Sequence, residues 1–277
     1  MRSLNRISAR RLLPPRRRDS HKGTYGRALL LAGSENMTGA CILASRACLK
    51  SGTGLVEISV PESVKPVFQA AVPEVIVLPR SAVADTDLSR FTAVLVGPGL
   101  GCTKESEEAL RSVLDRMSAD IPLVADADAL NLIARSEDLK EAFCALPCRK
   151  VITPHPGEAA RLLGTDIAHI REAGGEAARE LARMFGAVCV LKIVPETVAL
   201  CDGTLWKNPT GNDGMATAGS GDVLAGIITG LLAQGASPED GARAGAFYHG
   251  LAGDRAARKM GKRAVTASDL IEFLKME

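Results

Sequence analysis

Short runs of contiguous apolar residues alternate along almost the whole chain with longer stretches in which apolar residues return every third or fourth position. The runs at 28–32, 55–60, 75–78, 93–96, 122–125, 150–153, 187–191 and 197–200 are predicted strands, and the stretches at 38–51, 104–117, 156–163, 171–185, 221–234, 238–260 and 267–275 are predicted helices. Strands that are apolar throughout, rather than at every second residue, are covered on both faces. The alternation therefore predicts one α/β unit, a mostly parallel central sheet between two layers of helix, that is, a three-layer αβα sandwich. No Ser/Gly linker, repeat or composition break inside residues 23–277 marks a second domain.

The polar punctuation of this pattern points to one edge of the sheet. Strand 28–32 runs into GSENMTGA (33–40), strand 93–96 into GPGLG (97–101), strand 150–153 into PHPGE (154–158), and the Trp206 region into NPTGNDGMATAGSGD (208–222). In open α/β sheets ligands bind beyond the carboxyl ends of the strands. A Gly-rich turn after a strand is weak evidence by itself, since turns use glycine for conformational reasons; four on one predicted rim define a candidate site.

Composition sharpens the picture by exclusion. The net charge of +2 hides an asymmetry: residues 1–22 hold seven Arg, Lys22 and a lone Asp19, a net of +7, which leaves 26 basic against 31 acidic residues in the body, a net of −5. An acidic body with one Trp and two Tyr lacks the basic field and stacking platforms of a single-stranded nucleic-acid binder. No stretch approaches the ~20 apolar residues of a membrane helix, and the charge-free segment 223–238 reads as a buried helix. The arm lacks the apolar core of a secretory signal. Its Arg-rich composition with two Ser leaves an organelle-targeting reading, while Pro14-Pro15 and Arg16-Arg17-Arg18 favour a solvated, extended lead-in, with residues 1–11 as arm and 12–277 as the domain. Seven scattered cysteines, Cys41, Cys48, Cys102, Cys144, Cys148, Cys189 and Cys201, contain no CxxC pair, and Cys144 and Cys148 have no matching pair nearby, so neither a zinc site nor a disulfide framework is expected. Most sit among Ala, Leu and Val as small buried hydrophobes, in a reducing, cytoplasmic compartment.

The segment best suited to chemistry is Ala218-Gly219-Ser220-Gly221-Asp222, directly before an apolar helix. Small residues there let several NH groups converge at a helix N-terminus, an anion hole of Gly219, Ser220 and Gly221 suited to phosphate. Asp222 at its lip either caps the helix or is a general base that takes a proton from a substrate hydroxyl. In Thr153-Pro154-His155-Pro156-Gly157-Glu158, Glu158 either acts through water on magnesium or caps the helix, and His155 is either a ligand contact or part of a rigid corner. In Asp126-Ala127-Asp128-Ala129-Leu130-Asn131, Asp128 suits a helix cap, while Asp126 at the strand end is the better ligand or metal candidate. Lys192, ending its strand, either meets nucleotide phosphate or is simply exposed.

These segments, together with Ser20-His21-Lys22-Gly23-Thr24-Tyr25-Gly26, Met37-Thr38-Gly39-Ala40, Ser51-Gly52-Thr53-Gly54-Leu55-Val56 and Gly97-Pro98-Gly99-Leu100-Gly101, occur in order over about residues 12–275. In this the chain resembles the ADP-dependent NAD(P)H-hydrate dehydratases, repair enzymes of the ribokinase-like superfamily. The resemblance implies dehydration of the S form of hydrated NADH or NADPH, with ADP (or ATP) as phosphoryl donor, Mg2+ as cofactor, and release of AMP and phosphate. It further implies contacts to the hydrated cofactor from Ala40, Gly99, His155 and Asp222, contacts to AMP from Lys192 and Gly221, a magnesium-supporting role for Glu158, and a homo-oligomer, a tetramer by family likeness. The family's companion epimerase is expected as a separate protein. Where the family has a Gly-Ala-Gly-Thr-like turn after the lysine, this chain has Ile193-Val194-Pro195-Glu196 before Thr197, and residues 193–196 are not carried over as binding residues. Two other readings compete: a small-molecule kinase of the same superfamily, acting on a hydroxymethylpyrimidine, thiazole or sugar hydroxyl, and a nucleotide-binding protein without catalysis.

Overall fold

The computed structural model describes residues 2–147 and 149–277, so Cys148 lies outside the described residues. Ten strands form one sheet: β1 (Arg2–Ser3), β2 (Arg27–Leu31), β3 (Leu55–Val60), β4 (Ile76–Pro79), β5 (Ala93–Val96), β6 (Leu123–Ala125), β7 (Lys150–Ile152), β8 (Ala187–Leu191), β9 (Thr197–Ala199) and β10 (Leu205–Lys207). Their order is β1-β10-β9-β8-β7-β6-β5-β2-β3-β4. From β8 to β4 every neighbour is parallel, and β9 and β10 each run antiparallel to the strand before them in sequence.

Successive residues of the central strands feed opposite faces. Leu29, Leu31, Val94, Val96, Leu123 and Ala125 enter one core cluster, and Ala28, Leu30, Ala32, Ala93, Leu95 and Val124 enter the other. Both faces are thus buried, which is why the strands are apolar throughout, and the architecture is the three-layer αβα sandwich expected. Helix Ser220–Ala233 is buried on almost every side. A Cβ on Gly226 would lie 3.0 Å from Ala44 Cα, so only glycine lets helix Thr38–Lys50 pack this closely.

The chain order along the sheet sets where a ligand goes. It builds outward from β2 through β3 to β4, then returns to the other side of β2 and builds from β5 through β8. The switch point lies between β2 and β5, and in open α/β sheets the loops that follow such a pair of strands part to leave a crevice at the carboxyl edge.

Three expectations are corrected. The arm is not a solvated lead-in: residues 2–3 pair with β10 as strand β1, residues 6–10 form a helix capped by Asn5, and Ala9 is fully buried in a cluster with Tyr248 and Val265. Leu4, Leu12 and Leu13 pack on the same cluster, and the Arg2 guanidinium lies over the Trp206 ring at 5.7 Å; arginine stems lie along apolar surface while their charge stays in water. Secondly, Cys102, Cys144 and Cys201 are exposed, and among the described residues only Cys41, Cys48 and Cys189 behave as buried hydrophobes. Lastly, Asp128 does not cap the helix Asp128–Arg135 that it begins. The preceding residue, Ala127, has φ 50°, a strained conformation for a residue with a Cβ, and the Asp128 carboxylate instead accepts the Gly101 NH at 2.8 Å. That bond ties the GPGLG turn to the turn after β6.

Candidate active site

The crevice collects the predicted residues from both sides of the switch point. Ala40 stands in the first turn of helix Thr38–Lys50, after β2, and Gly99 in the turn after β5. They touch: a Cβ built on Gly99 would lie 2.8 Å from that of Ala40 and 2.7 Å from the Met37 carbonyl. Across from them, Gly219 adopts φ 85° as the N-cap of helix Ser220–Ala233, a left-handed conformation that glycine takes without strain. No side chain caps the first NH groups of that helix, although the Ser220 NH donates to the Thr217 carbonyl at 3.3 Å.

Asp222 lies in that first turn and does not cap it. No hydrogen bond joins its carboxylate to another described residue. Burial pushes its pKa up to about 7, the negative charges of Asp126, Asp128 and Glu158 push the same way, and Lys192 opposes them. A carboxylate that half-ionises near neutrality suits general base catalysis.

Beneath it lies one cation among carboxylates. Lys192 is not exposed: its Nζ donates to Asp126 Oδ1 at 2.7 Å, lies 3.8 Å from Glu158 Oε2, and stands 3.1 Å from where a Gly221 Cβ would be. Burial lowers the Lys192 pKa, but Asp126 and Glu158 outweigh it and hold the ammonium charged. Burial raises the Asp126 carboxyl above its ordinary range although Lys192 opposes the shift. Glu158 is occupied by its own helix. His155 caps helix Pro156–Leu163 by accepting the Gly157 NH at Nδ1 at 3.0 Å, Glu158 Oε2 accepts the His155 NH at 2.9 Å, and His155 Nε2 lies 3.0 Å from Glu158 Oε1. This corner is a rigid capping box, and the imidazole on it is about half exposed. Among the described residues, no group of three His, Cys, Asp or Glu side chains is placed to hold a metal ion by itself.

Residues outside the sequence-level candidates complete the site. His249, on helix Pro238–Met260, is buried with Nε2 3.3 Å from Ser220 Oγ, and burial pulls its pKa down to about 4, so the ring is neutral. Asn208 donates to Glu196 Oε2 at 3.2 Å, and burial lifts the Glu196 carboxyl to about 7. The available signal for the histidine was polar: His249-Gly250 and Gly253-Asp254 interrupt an Ala-rich helix at one-turn spacing.

An uncapped helix N-terminus beside a buried lysine suits an anionic, phosphorylated ligand, and the fold that carries it is ribokinase-like. Within that superfamily the chain belongs to the NAD(P)H-hydrate dehydratase family, whose model matches residues 28–276. It is 43% identical over 274 residues to a bifunctional NAD(P)H-hydrate repair enzyme of Moorella thermoacetica, an alignment that covers 95% of this chain and 51% of that protein. An ADP-dependent (S)-NAD(P)H-hydrate dehydratase of Neisseria meningitidis is 41% identical over 241 residues, covering 86% of this chain and 80% of that one. The chain also superposes with a TM-score of 0.88, at 33% identity, on the ADP/ATP-dependent NAD(P)H-hydrate dehydratase of Bacillus subtilis co-crystallised with ATP and Mg2+, covering 99% of this chain and 96% of that one. The chain spans about half the length of the bifunctional curated relatives it matches. No helix among the described residues is long and apolar enough to cross a membrane.

Proposed function

We propose that this chain dehydrates the S form of hydrated NADH or NADPH, using ADP as phosphoryl donor and releasing AMP and phosphate. The observation that carries the reading is Asp222, an unpaired carboxylate with a pKa near 7 at the mouth of an anion cradle, in a chain of the dehydratase family. Asp222 takes the proton of the hydrate's ring hydroxyl as that oxygen attacks the β-phosphorus of ADP, and the bond to AMP breaks. The NH groups of Gly219, Ser220 and Gly221 hold the phosphoryl oxygens through the transfer. Phosphate is then a better leaving group than hydroxide: its C–O bond breaks, the adjacent carbon loses a proton, and the dihydronicotinamide double bond is restored.

Ala40, Gly99 and His155 line the hydrate's side of the crevice in this reading, while Lys192 and Gly221 meet AMP. Both Glu158 oxygens already have partners, so Glu158 would support a magnesium ion through water while the nucleotide phosphates supplied its direct ligands. When bound, the ion neutralises phosphate charge. In this reading the catalytic unit is residues 12–277, with the arm docked on it.

Purified chain incubated with S-hydrated NADH, ADP and Mg2+ is expected to restore the absorbance of reduced nicotinamide with stoichiometric AMP. No recovery, alongside ATP-dependent phosphorylation of a hydroxymethylpyrimidine or thiazole alcohol, overturns the reading in favour of a kinase. Nucleotide binding without turnover of either substrate class overturns it in favour of a non-catalytic binder.

A further inference from the structure

The loop that delivers the anion cradle is attached along its length to one helix, Pro238–Met260. At its start, Asn208 Nδ2 donates to the Ala246 carbonyl at 2.8 Å, and Thr210 Oγ1 donates to the Phe247 carbonyl at 2.8 Å. In the middle, Asp254 uses both carboxylate oxygens: Oδ2 accepts the Gly211 NH at 3.0 Å and Oδ1 accepts Asn212 Nδ2 at 2.9 Å. Asn212 then passes the constraint on, its Oδ1 accepting the Gly214 NH at 3.0 Å. At the end, Ser220 Oγ meets His249 Nε2.

These anchors share a stripe of the helix. Residues four apart lie on the same face, so His249 sits beside Gly253 and Gly250 beside Asp254. The glycines make room between the polar anchors. A Cβ on Gly250 would lie 2.7 Å from the Thr210 carbonyl carbon, and one on Gly253 would run into Met215. Between these anchors the loop is partly open to solvent and is met from its other side by the turn at 262–264, where Lys262 pairs with Asp213.

We propose that His249 and Asp254 are positioning residues, which fix the two ends of the loop 211–220 and thereby aim the Ser220 hydroxyl and the NH groups of 219–221 at the transferring phosphoryl group. The inference rests on the phosphoryl-transfer reading above. Neither side chain touches substrate. A misplacement of about 1 Å in such a cradle costs on the order of 10²-fold in rate, and it does so in the transition state, so kcat falls while ground-state affinity is kept.

The test is steady-state dehydration of hydrated NADH, with urea unfolding as the control for structure. His249→Phe is expected to lower kcat on the order of 10²-fold with the KM for ADP within about threefold, and His249→Gln, which keeps a polar group in reach of Ser220, to recover most of the loss. Asp254→Asn is expected to lower kcat about tenfold, because its amide cannot serve both Gly211 and Asn212. Combining Asp254→Asn with Asn212→Asp restores the pair with donor and acceptor exchanged and recovers the rate. Both variants keeping wild-type kcat overturns the inference, as does an Asp254→Asn loss that the reciprocal exchange leaves unrepaired while the unfolding midpoint is unchanged. Wild-type chain that regenerates no NADH overturns the dehydratase reading itself, so the two failures are distinct.

Discussion

The two ends of the sheet each bury carboxylates, and they balance charge in opposite ways. Toward the amino ends, Glu57 on β3 is 1% exposed and pairs with two guanidinium groups, Arg27 and Arg90, which reach solvent. One negative charge there has two cations. At the carboxyl ends, Asp126, Glu158 and Asp222 surround one cation, Lys192. The first cluster is charge-compensated; the second carries excess negative charge, which adds to burial in keeping Asp222 near its midpoint at neutral pH. A cleft of about 460 Å3 opens at the amino edge, between Thr92, Pro122, Arg149 and Gln234, so open space does not separate the two ends. Charge imbalance does, and it marks the end that works on a ligand.

The comparison breaks most easily at Asp222. Asp222→Asn removes the base while keeping size, and turnover is expected to fall by about 10³-fold, within the range of general base catalysis. The same change is expected to stabilise the fold at alkaline pH. A carboxyl raised from 3.8 to about 7 contributes stability that is present below pH ~4 and lost as pH rises through about 7. The wild-type chain should therefore lose stability between pH 4 and 7 relative to the variant, by on the order of 4 kcal/mol at pH 8, read from urea unfolding at pH 4 and pH 8. Equal stability of the two proteins at pH 8 would mean that Asp222 is not burdened by its neighbours. In wild type, kcat/KM should rise through pH 7 as the carboxylate forms.

At the opposite end the effect moves from rate to stability. Arg27→Met with Arg90→Met leaves Glu57 buried and unpaired, at an expected cost of about 3–5 kcal/mol. The folded fraction should keep the wild-type turnover, since neither arginine faces the crevice. A loss of kcat in fully folded protein would show that the amino-end cluster is coupled to the site.

What was readable in the sequence follows the same physics. The parallel strands were legible because burial on both faces leaves a continuous apolar run, as in Leu29-Leu30-Leu31. Strands β1 and β10 were not, because they are two and three residues long at the sheet's edge and expose most of their side chains. Gly219, Ser220, Gly221 and Asp222 could be singled out because a small-residue turn before an apolar helix is a local signal. His249 and Asp254 could not, since their importance comes from partners 29 and 43 residues away in sequence. Asp128 was misread for a related reason: it has the composition of a cap, but the φ of Ala127 turns its carboxylate toward Gly101 instead.

The finest effect falls on Glu196, in the turn that departs from the family pattern. In the fold Glu196 is held by Asn208 Nδ2, and burial raises its carboxyl to about 7, with Asn208 and Lys192 opposing the shift. Below that pH the group is neutral, so the turn adds no repulsion; above it the carboxylate competes with phosphate for the field of Lys192. ADP affinity is expected to weaken about threefold more between pH 6 and pH 8 in wild type than in Glu196→Gln, a difference of about 0.7 kcal/mol, as expected of charges in a partly screened site. Phosphate itself titrates near pH 6, so the comparison is between the two proteins at each pH, by calorimetry with ADP and Mg2+. Parallel pH dependences would remove Glu196 from the charge balance of the carboxyl end and leave the excess there to Asp126, Glu158 and Asp222 alone.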